Sequence, residues 1–437
     1  MAGANYLFHE HLIPAQAAAE KAMLAEFEAG NYTLENPLVK LNPYLINPLA
    51  AVVLFKTEKA TPITVTVKGK TKAADFSHTF PAATTHILPI LGLYQDYVNK
   101  VELRPYRGEK TVIEIPVEHV TESGLQYCDT TPEYFQDNVM VISPAEISRA
   151  RAFDYAGDMR WYLDVMCVFD FKRLKNGNLL VGSDRVLRMP YYMSGLYEMA
   201  MCGKIVKEYC VPGGYHHDHF EMPNGDLLVL TEDLRSETVE DMCILMDRET
   251  GEIKKTWDYK NFLDPDKVSK SGSWTAEDWF HNNAVWYDEH THSLTFSGRH
   301  CDAMTNIDFE TGKLNWIIGD PEGWPEEYQK YFFKPVGEGD FDWQYEQHAC
   351  VITPDGDVMC FDNGHYRSKN PEKYLLNKDN FSRGVRYAID TEKMEIEQVW
   401  QYGKERGQHF YSMYICNVEY YKEGHYMVHS GGIQYYG

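Results

Sequence analysis

The sequence has no apolar run approaching the ~20 residues that a helix needs to cross a bilayer, so no helical membrane span is expected. Basic residues are scarce: 42 Lys and Arg stand against 65 Asp and Glu, a formal charge of −23. That balance argues against nucleic acid and against an anionic membrane surface as partners. The N-terminus lacks the basic segment and unbroken apolar stretch of a secretory leader. Residues 1–29 instead carry Lys21 among Glu10, Glu20, Glu26 and Glu28, and read as a short amphipathic helix. The chain as given is therefore expected in the cytoplasm, or in the periplasm if an export signal has been removed. Paired cysteines are missing too. The nine present, at positions 128, 167, 202, 210, 243, 301, 350, 360 and 416, form no Cys-x-x-Cys pair and no zinc-type spacing. Buried free thiols in a reducing compartment are the expectation.

Aromatic residues, by contrast, make up 14% of the chain, which favours a β-rich fold. After a helical segment over 1–35, residues 36–125 read as short strands, among them 51–55, 63–67 and 111–115, broken by Pro and Gly. Such punctuation predicts a small antiparallel sandwich. A linker containing Pro132 and Pro144 follows.

Residues 126–437 are expected to form one catalytic domain, and from about Arg160 onward the chain repeats a strand, a polar turn and a second strand. Asn176-Gly177, Asn224-Gly225, Asp355-Gly356 and Glu423-Gly424 mark four such turns, and residues 288–292 form a longer fifth. Asn-Gly and Asp-Gly between apolar runs signal hairpins, because both turn positions favour positive φ. Most copies continue into a second hairpin ending in an aromatic: Thr250-Gly251 leads to Trp257, Thr311-Gly312 to Trp316, and Asp390-Thr391 to Trp400. Four strands per repeat with a recurrent aromatic predict the blades of a β-propeller.

Aligning the repeats on their turns puts His217, His281 and His348 each seven residues before Asn224, Asp288 and Asp355. Equivalent positions on the innermost strands of successive blades converge on one axis, so these histidines are expected to share a site. Strand alternation adds Asn283 beside His281 and His219 beside His217. It turns His216 and Asp218 to the opposite face. Arg299, at the far end of the hairpin that begins at His281, should return close to it and offer a forked donor to an anion. Several histidines with an amide and a guanidinium suit transfer of an anionic group. Imidazole can attack as a nucleophile, fixed donors can meet charge on the transferred oxygens, and a second imidazole can move the proton.

These residues lie in stretches that resemble the bacterial arylsulfate sulfotransferase family. The stretches include His216-His217-Asp218, Asp278-Trp279-Phe280-His281-Asn282-Asn283, Ser297-Gly298-Arg299-His300, Gln347-His348, Phe361-Asp362-Asn363-Gly364 and His429-Ser430-Gly431-Gly432. The resemblance implies an N-terminal β-sandwich, a six-bladed propeller and a homodimer. It implies that a sulfuryl group passes from a phenolic sulfate ester to an acceptor phenol by a ping-pong reaction, without the nucleotide sulfate donor or any metal or other cofactor. In the matching positions His348 would be the transiently sulfated nucleophile. His217, His281, Asn283 and Arg299 would hold the sulfuryl oxygens and handle the phenol proton, with His281 favoured as acid and base. Two departures stand out: 328–347 contains no cysteine, where many exported members carry a pair, and the chain stops at Gly437, soon after His429-Ser430-Gly431-Gly432. The second leads to the expectation of a propeller that is either incomplete at its C-terminus or closed differently, without the family strands that bring a threonine beside a lysine to the sulfuryl group.

Two other readings remain open from the residues alone. Three converging histidines could hold zinc in a propeller hydrolase, and a propeller can serve as a non-enzymatic scaffold. Activity that survives a chelator argues against the first, and phenol release from an aryl sulfate argues against the second.

Overall fold

The structure, a computed structural model, describes residues 12–135, 138–143, 149–167 and 169–433; the start of the expected helix and Pro144 of the expected linker lie outside them. The chain divides into two compact units, Met1–Tyr209 and Cys210–Gly437. Among the described residues no helix is long and apolar enough to cross a membrane.

In the first unit, helix α1 (Leu12–Ala29) buries Leu12, Gln16, Met23 and Phe27 on one face. Its alanines supply helix propensity. The buried Gln16 is fully engaged, with Nε2 donating to the carbonyls of Tyr44 and Gly203 and Oε1 accepting from the Ile205 amide. Strands β1 (Leu38–Leu41), β2 (Ala50–Val67), β3 (Phe76–Leu91), β4 (Tyr97–Pro105) and β5 (Thr111–Val117) follow. The first half of β2 pairs with β1 and the second half with β4, while β3 runs beside both, with register breaks between Lys56 and Ile63. Side chains from both halves of β2, from Ala51 to Val67, meet in one core with Leu49, Leu88, Ile90, Leu103 and Ile115. That is the packing of the expected sandwich. Next in the chain come β6 (Met140–Ile142), β7 (Arg151–Phe153) and β8 (Met159–Tyr162), then β9 (Phe171–Arg173), β10 (Leu179–Gly182), β11 (Val186–Arg188) and β12 (Tyr192–Met199), in two antiparallel sheets. β13 (Ile205–Tyr215) carries the chain into the second unit.

The second unit is built from consecutive sheets that are antiparallel apart from one short parallel pairing, of Lys334 and Pro335 with Glu395 and Ile396. β14 (His219–Glu221), β15 (Leu227–Thr231), β16 (Met242–Met246) and β17 (Ile253–Asp258) form one. β18 (Asn282–Asp288), β19 (Ser293–Gly298), β20 (Ala303–Asp308) and β21 (Leu314–Ile318) form the next. After the short β22 (Lys334–Pro335) come β23 (His348–Ile352), β24 (Val358–Asp362), β25 (Arg383–Asp390) and β26 (Glu395–Tyr402). β27 (Asn417–Lys422) and β28 (His425–His429) are the last, a two-stranded sheet. The turn residues act as their chemistry dictates: Gly225 and Gly356 take φ of 91° and 88°, a conformation that glycine adopts without steric cost. In the second hairpins Asp247 and Asp308 accept from the amides of Thr250 and Thr311. Leu228, Leu230 and Trp257 of one sheet pack with Val285, Leu294 and Phe296 of the next, and Met304 and Ile318 pack with Val358 and Val385 of the third. This serial face-to-face stacking is the β-propeller arrangement. Of the nine cysteines six are buried, but Cys128 and Cys210 are exposed, which corrects the expectation of buried thiols throughout.

Candidate active site

Backbone geometry at the sheet starts sets the site. His217 and His281 both sit in the left-handed region, at φ of 55° and 52°, which non-glycine residues seldom adopt and which gathers at functional sites. β18 and β23 also slip register just inside their first residues, between Asn282 and Val285 and between His348 and Val351. Bulges of this kind re-aim side chains. The alternation argument therefore fails at His216. Instead of facing away, its Nδ1 lies 3.0 Å from Nδ1 of His217. Asp218 does turn to a structural task, accepting from the amides of His219 and Val285.

His217 and His281 come together, ring centroids 5.0 Å apart and edge to face. Between them stands Glu240, fully buried, with Oε2 at 3.0 Å from Nδ1 of His281 and 3.6 Å from Nδ1 of His217. Asp278, one turn of chain before His281, places Oδ2 at 2.7 Å from the same His281 nitrogen. His300 stacks on the His281 ring at 4.5 Å. Burial alone would lower the pKa of His281, but the carboxylates of Glu240 and Asp278 outweigh it and raise the imidazole to about 9. His281 is thus a cation at neutral pH. Its neighbours are neutral: burial drives His217 well below the ordinary value, and burial with the His281 charge lowers His300 to about 4. Glu240, despite its burial, is held well below the usual carboxylate range by His281 and His217.

His348 is the second pole. Burial, with the Arg299 charge close by, lowers it to about 3, so its ring is neutral at any physiological pH. Its Nδ1 is 2.8 Å from Oδ1 of Asn363. Arg299 does return to His281, its amide donating to the His281 carbonyl at 3.2 Å. Its guanidinium is braced by Glu346 at 2.7 Å and by Nε2 of His300 at 3.1 Å. Despite burial, Arg299 and His365 hold Glu346 at about 2. The Arg299 Nε is buried and has no hydrogen-bond partner among the described residues, nor has Oδ1 of Asn283, whose Nδ2 donates to the Gln347 carbonyl. Orphaned polar atoms at a buried site are costly unless something fills them. His219 lies against Tyr215, Nδ1 to hydroxyl 3.2 Å, and the same hydroxyl donates to the His217 carbonyl.

Sequence patterning does not find Glu240, Glu346 or Asn363 as members of this cluster. Glu240 and Glu346 are buried loop glutamates at φ of 54° and 46°, and no strand periodicity reaches them. Asn363 lies in one of the resembling stretches, but nothing in that stretch says which atom it meets.

Two groups bring potential ligand atoms within 4.8 Å of one another: His216, His217 and Glu240, and Asp278, His281 and His300. Hydrogen bonds account for the close approaches. His300 Nδ1 donates to the Asp278 carbonyl at 2.5 Å. His216 Nε2 donates to the Thr231 carbonyl at 3.2 Å, which leaves its Nδ1 to accept from His217. A metal ion here would meet the charge on His281 at close range.

Comparison with known proteins places the chain among relatives of one family. The chain is 24% identical to the arylsulfate sulfotransferase AssT of Escherichia coli O6:H1 (strain CFT073), over 95% of this chain and 88% of that one. To the arylsulfate sulfotransferase AssT of Lelliottia amnigena it is again 24% identical, over 94% and 84%. Among solved structures, a hypothetical selenium-binding protein from Sulfolobus tokodaii covers 80% of this chain and 92% of its own at 9% identity, with a TM-score of 0.37, too slight a likeness to bear on the reading. The pattern of the arylsulfotransferase Ig-like domain matches residues 38–120, and that of arylsulfotransferase (ASST) matches residues 125–437. On that match this chain belongs to the arylsulfotransferase family and is a transferase.

Proposed function

We propose that this chain moves a sulfuryl group from an aryl sulfate to a phenol in two half-reactions through a sulfo-histidine at His348. The carrying observation is the pairing, within one buried cluster, of a histidine held cationic at about 9 with a histidine held neutral at about 3. One is an acid and the other a free nucleophile at the same pH.

In the first half-reaction the ring nitrogen of His348 not engaged by Asn363 attacks sulfur. The bond from sulfur to the aryl oxygen breaks, and the proton of His281 goes to the departing phenolate oxygen. Phenols titrate at about 10, as the tyrosine side chain does, so an acid near 9 is well matched to that proton. In the second half-reaction neutral His281 takes the proton of the acceptor phenol. Its oxygen attacks sulfur, and the bond to His348 breaks with the electron pair returning to the ring. Arg299, with its unpartnered Nε, and Asn283 are assigned to the sulfuryl oxygens. His217 lines the same face of the cluster, and His219 supports it through Tyr215. The division into a helical segment (1–35), a sandwich (36–125) and a catalytic propeller (126–437), and assembly as a homodimer, belong to the same proposal.

The test is exposure of the protein to p-nitrophenyl sulfate with and without phenol. Nitrophenol released beyond one equivalent only when phenol is present, together with about one sulfuryl group on the protein after donor alone, is the expected result. Release unaffected by His348→Ala overturns the nucleophile, continuous release into water makes the protein a sulfatase, and loss of activity to a chelator with recovery on zinc supports the metal reading.

A further inference from the structure

We propose that Asn363 is a positioning residue that locks His348 in the tautomer carrying hydrogen on Nδ1, so that Nε2 presents its lone pair to sulfur. The inference rests on the reading of His348 as nucleophile and adds what makes one nitrogen of that ring available.

A neutral imidazole has one donor nitrogen and one acceptor nitrogen, and its hydrogen-bond partner decides which is which. The partner of His348 Nδ1 is Oδ1 of Asn363 at 2.8 Å. An amide could in principle be turned round to offer its NH2 group instead. Here it cannot turn without loss. Nδ2 of Asn363 faces the carbonyl oxygens of Ser412 at 2.8 Å and Ile415 at 3.1 Å, and the sulfur of Cys416 at 3.6 Å. Carbonyl oxygens only accept, so the end of the amide that faces them must be the donor. The oxygen is thereby fixed toward His348, and His348 must donate from Nδ1.

The surroundings keep this arrangement rigid. Asn363 is fully buried directly after β24, and His348 pairs with Phe361 two residues before it, which places Asn363 diagonally across the hairpin from the imidazole. The Asn363 carbonyl accepts from the Ser382 hydroxyl at 2.6 Å, and the same Ser382 oxygen accepts from the Ser412 amide at 2.8 Å. Ile415 and Cys416 hold φ of 64° and 98°, a left-handed turn of the segment that supplies the two carbonyls. The same segment reaches Arg299, whose Nη2 donates to the Met413 carbonyl at 3.5 Å. One short stretch of backbone therefore holds the group that orients the nucleophile and touches the side chain assigned to the sulfuryl oxygens.

Substitution by alanine removes the acceptor and frees the ring to carry its hydrogen on Nε2, where it blocks attack. The experiment is 15N NMR of the full-length protein labelled in histidine, with His348 assigned by substitution, alongside single-turnover sulfation by an aryl sulfate. In the parent protein the His348 Nε2 resonance should be of the unprotonated type. In Asn363→Ala it should move toward the protonated type, and sulfation should slow by about 10²–10⁴-fold, the scale seen when a catalytic histidine is left in the wrong tautomer, with donor KM little changed. A protonated Nε2 in the parent protein overturns the proposal, and that measurement needs no Asn363 variant to fold. So does an Asn363→Ala variant that keeps both tautomer and rate. A parent with Nε2 unprotonated whose His348→Ala variant still forms a sulfated protein upholds the lock and overturns the nucleophile instead.

Discussion

Replacing Glu240 by glutamine removes one of the two carboxylates that hold His281 cationic while keeping the shape of the side chain. The separation is 3.0 Å and the glutamate is fully buried, so solvent does little to screen the pair. His281 stands at about 9 against an ordinary 6.5, a difference worth about 3 kcal/mol at 1.36 kcal/mol per pH unit. An opposite charge at this range is worth about 1–3 pH units, so the variant should titrate near 7 with Asp278 alone beside it. At pH 7.5 the acid form would fall from about 97% of the protein to about a quarter. The sign follows from the role: release of the first phenol needs the protonated ring, so its rate falls as pH rises through the His281 value. The assay is the burst of phenol release in single turnover, followed between about pH 5 and 10. A sulfate ester of a weakly acidic phenol should show the full displacement of the alkaline limb from near 9 to near 7. The nitrophenyl ester, whose leaving group needs less help from an acid, should show a shallower limb. An alkaline limb that stays near 9 in Glu240→Gln, or a rate lowered equally at every pH, would refute the assignment of His281 as acid under the control of Glu240.

Arg299→Lys should lower kcat/KM for the aryl sulfate by about 10²–10³-fold, the cost of removing one directed donor from a transferring group. A lysine cannot reproduce the fork that meets Glu346 and His300 and leaves Nε free; steady-state kinetics with the lysine variant near parent level would remove Arg299 from the site. Asp154→Ala should destabilise the first unit by about 3–5 kcal/mol, because it strands the fully buried Arg160 guanidinium that Asp154 meets at 2.8 Å. Thermal unfolding reads this, and a shift of the first transition by less than a degree or so would mean that the Phe76 and Tyr94 rings 4.1 Å from that guanidinium suffice. Acid should also unfold the protein early. His348 and His300 are neutral at about 3 and 4 in the fold but titrate near 6.5 once unfolded, so their contribution is present above 6.5 and is lost as pH falls toward 3. A melting temperature unchanged from pH 7 to about 4 would contradict this burial.

Much of the fold can be read from turn chemistry because it is local. Asn224-Gly225 and Asp355-Gly356 each need positive φ where the glycine stands, and counting back from those turns leads to His217 and His348 without any tertiary knowledge. The proximity of His217 and His281 follows from the same count. The contacts that set their charge do not. Glu240 reaches His281 from a loop 41 residues away in sequence, and Glu346 reaches Arg299 from one 47 residues away, and such loops carry no period. His216 is misplaced by strand alternation because alternation holds only where the backbone is extended. At His217 it is left-handed, so two consecutive imidazoles face one another at 3.0 Å. A left-handed histidine carries no mark in the sequence, as an Asn-Gly turn does.

A charge of −23 calls for a compensating basic patch wherever an anionic ester is drawn in by long-range attraction, and the structure answers differently. The two cationic groups of the cluster are each already paired, His281 with Glu240 and Asp278, and Arg299 with Glu346. His216, His217, His300 and His348 are held neutral by burial. Among the described residues of the cluster no unpaired cation is therefore left to draw an aryl sulfate in, and recognition falls to short-range donors in fixed positions, Arg299 Nε among them. Salt separates this from steering. A steered encounter weakens as salt rises, since screening acts beyond about 8 Å at physiological ionic strength. Here the long-range field is that of the whole acidic protein and repels the donor, so added salt should raise kcat/KM for the aryl sulfate, by about two- to threefold between roughly 0.02 and 0.3 M sodium chloride. Turnover at saturating donor should barely move, because the paired charges are buried and little screened. A tenfold fall in kcat/KM over the same range would mean that a basic field does guide the ester, and that the pairing of Arg299 with Glu346 is broken when the substrate arrives.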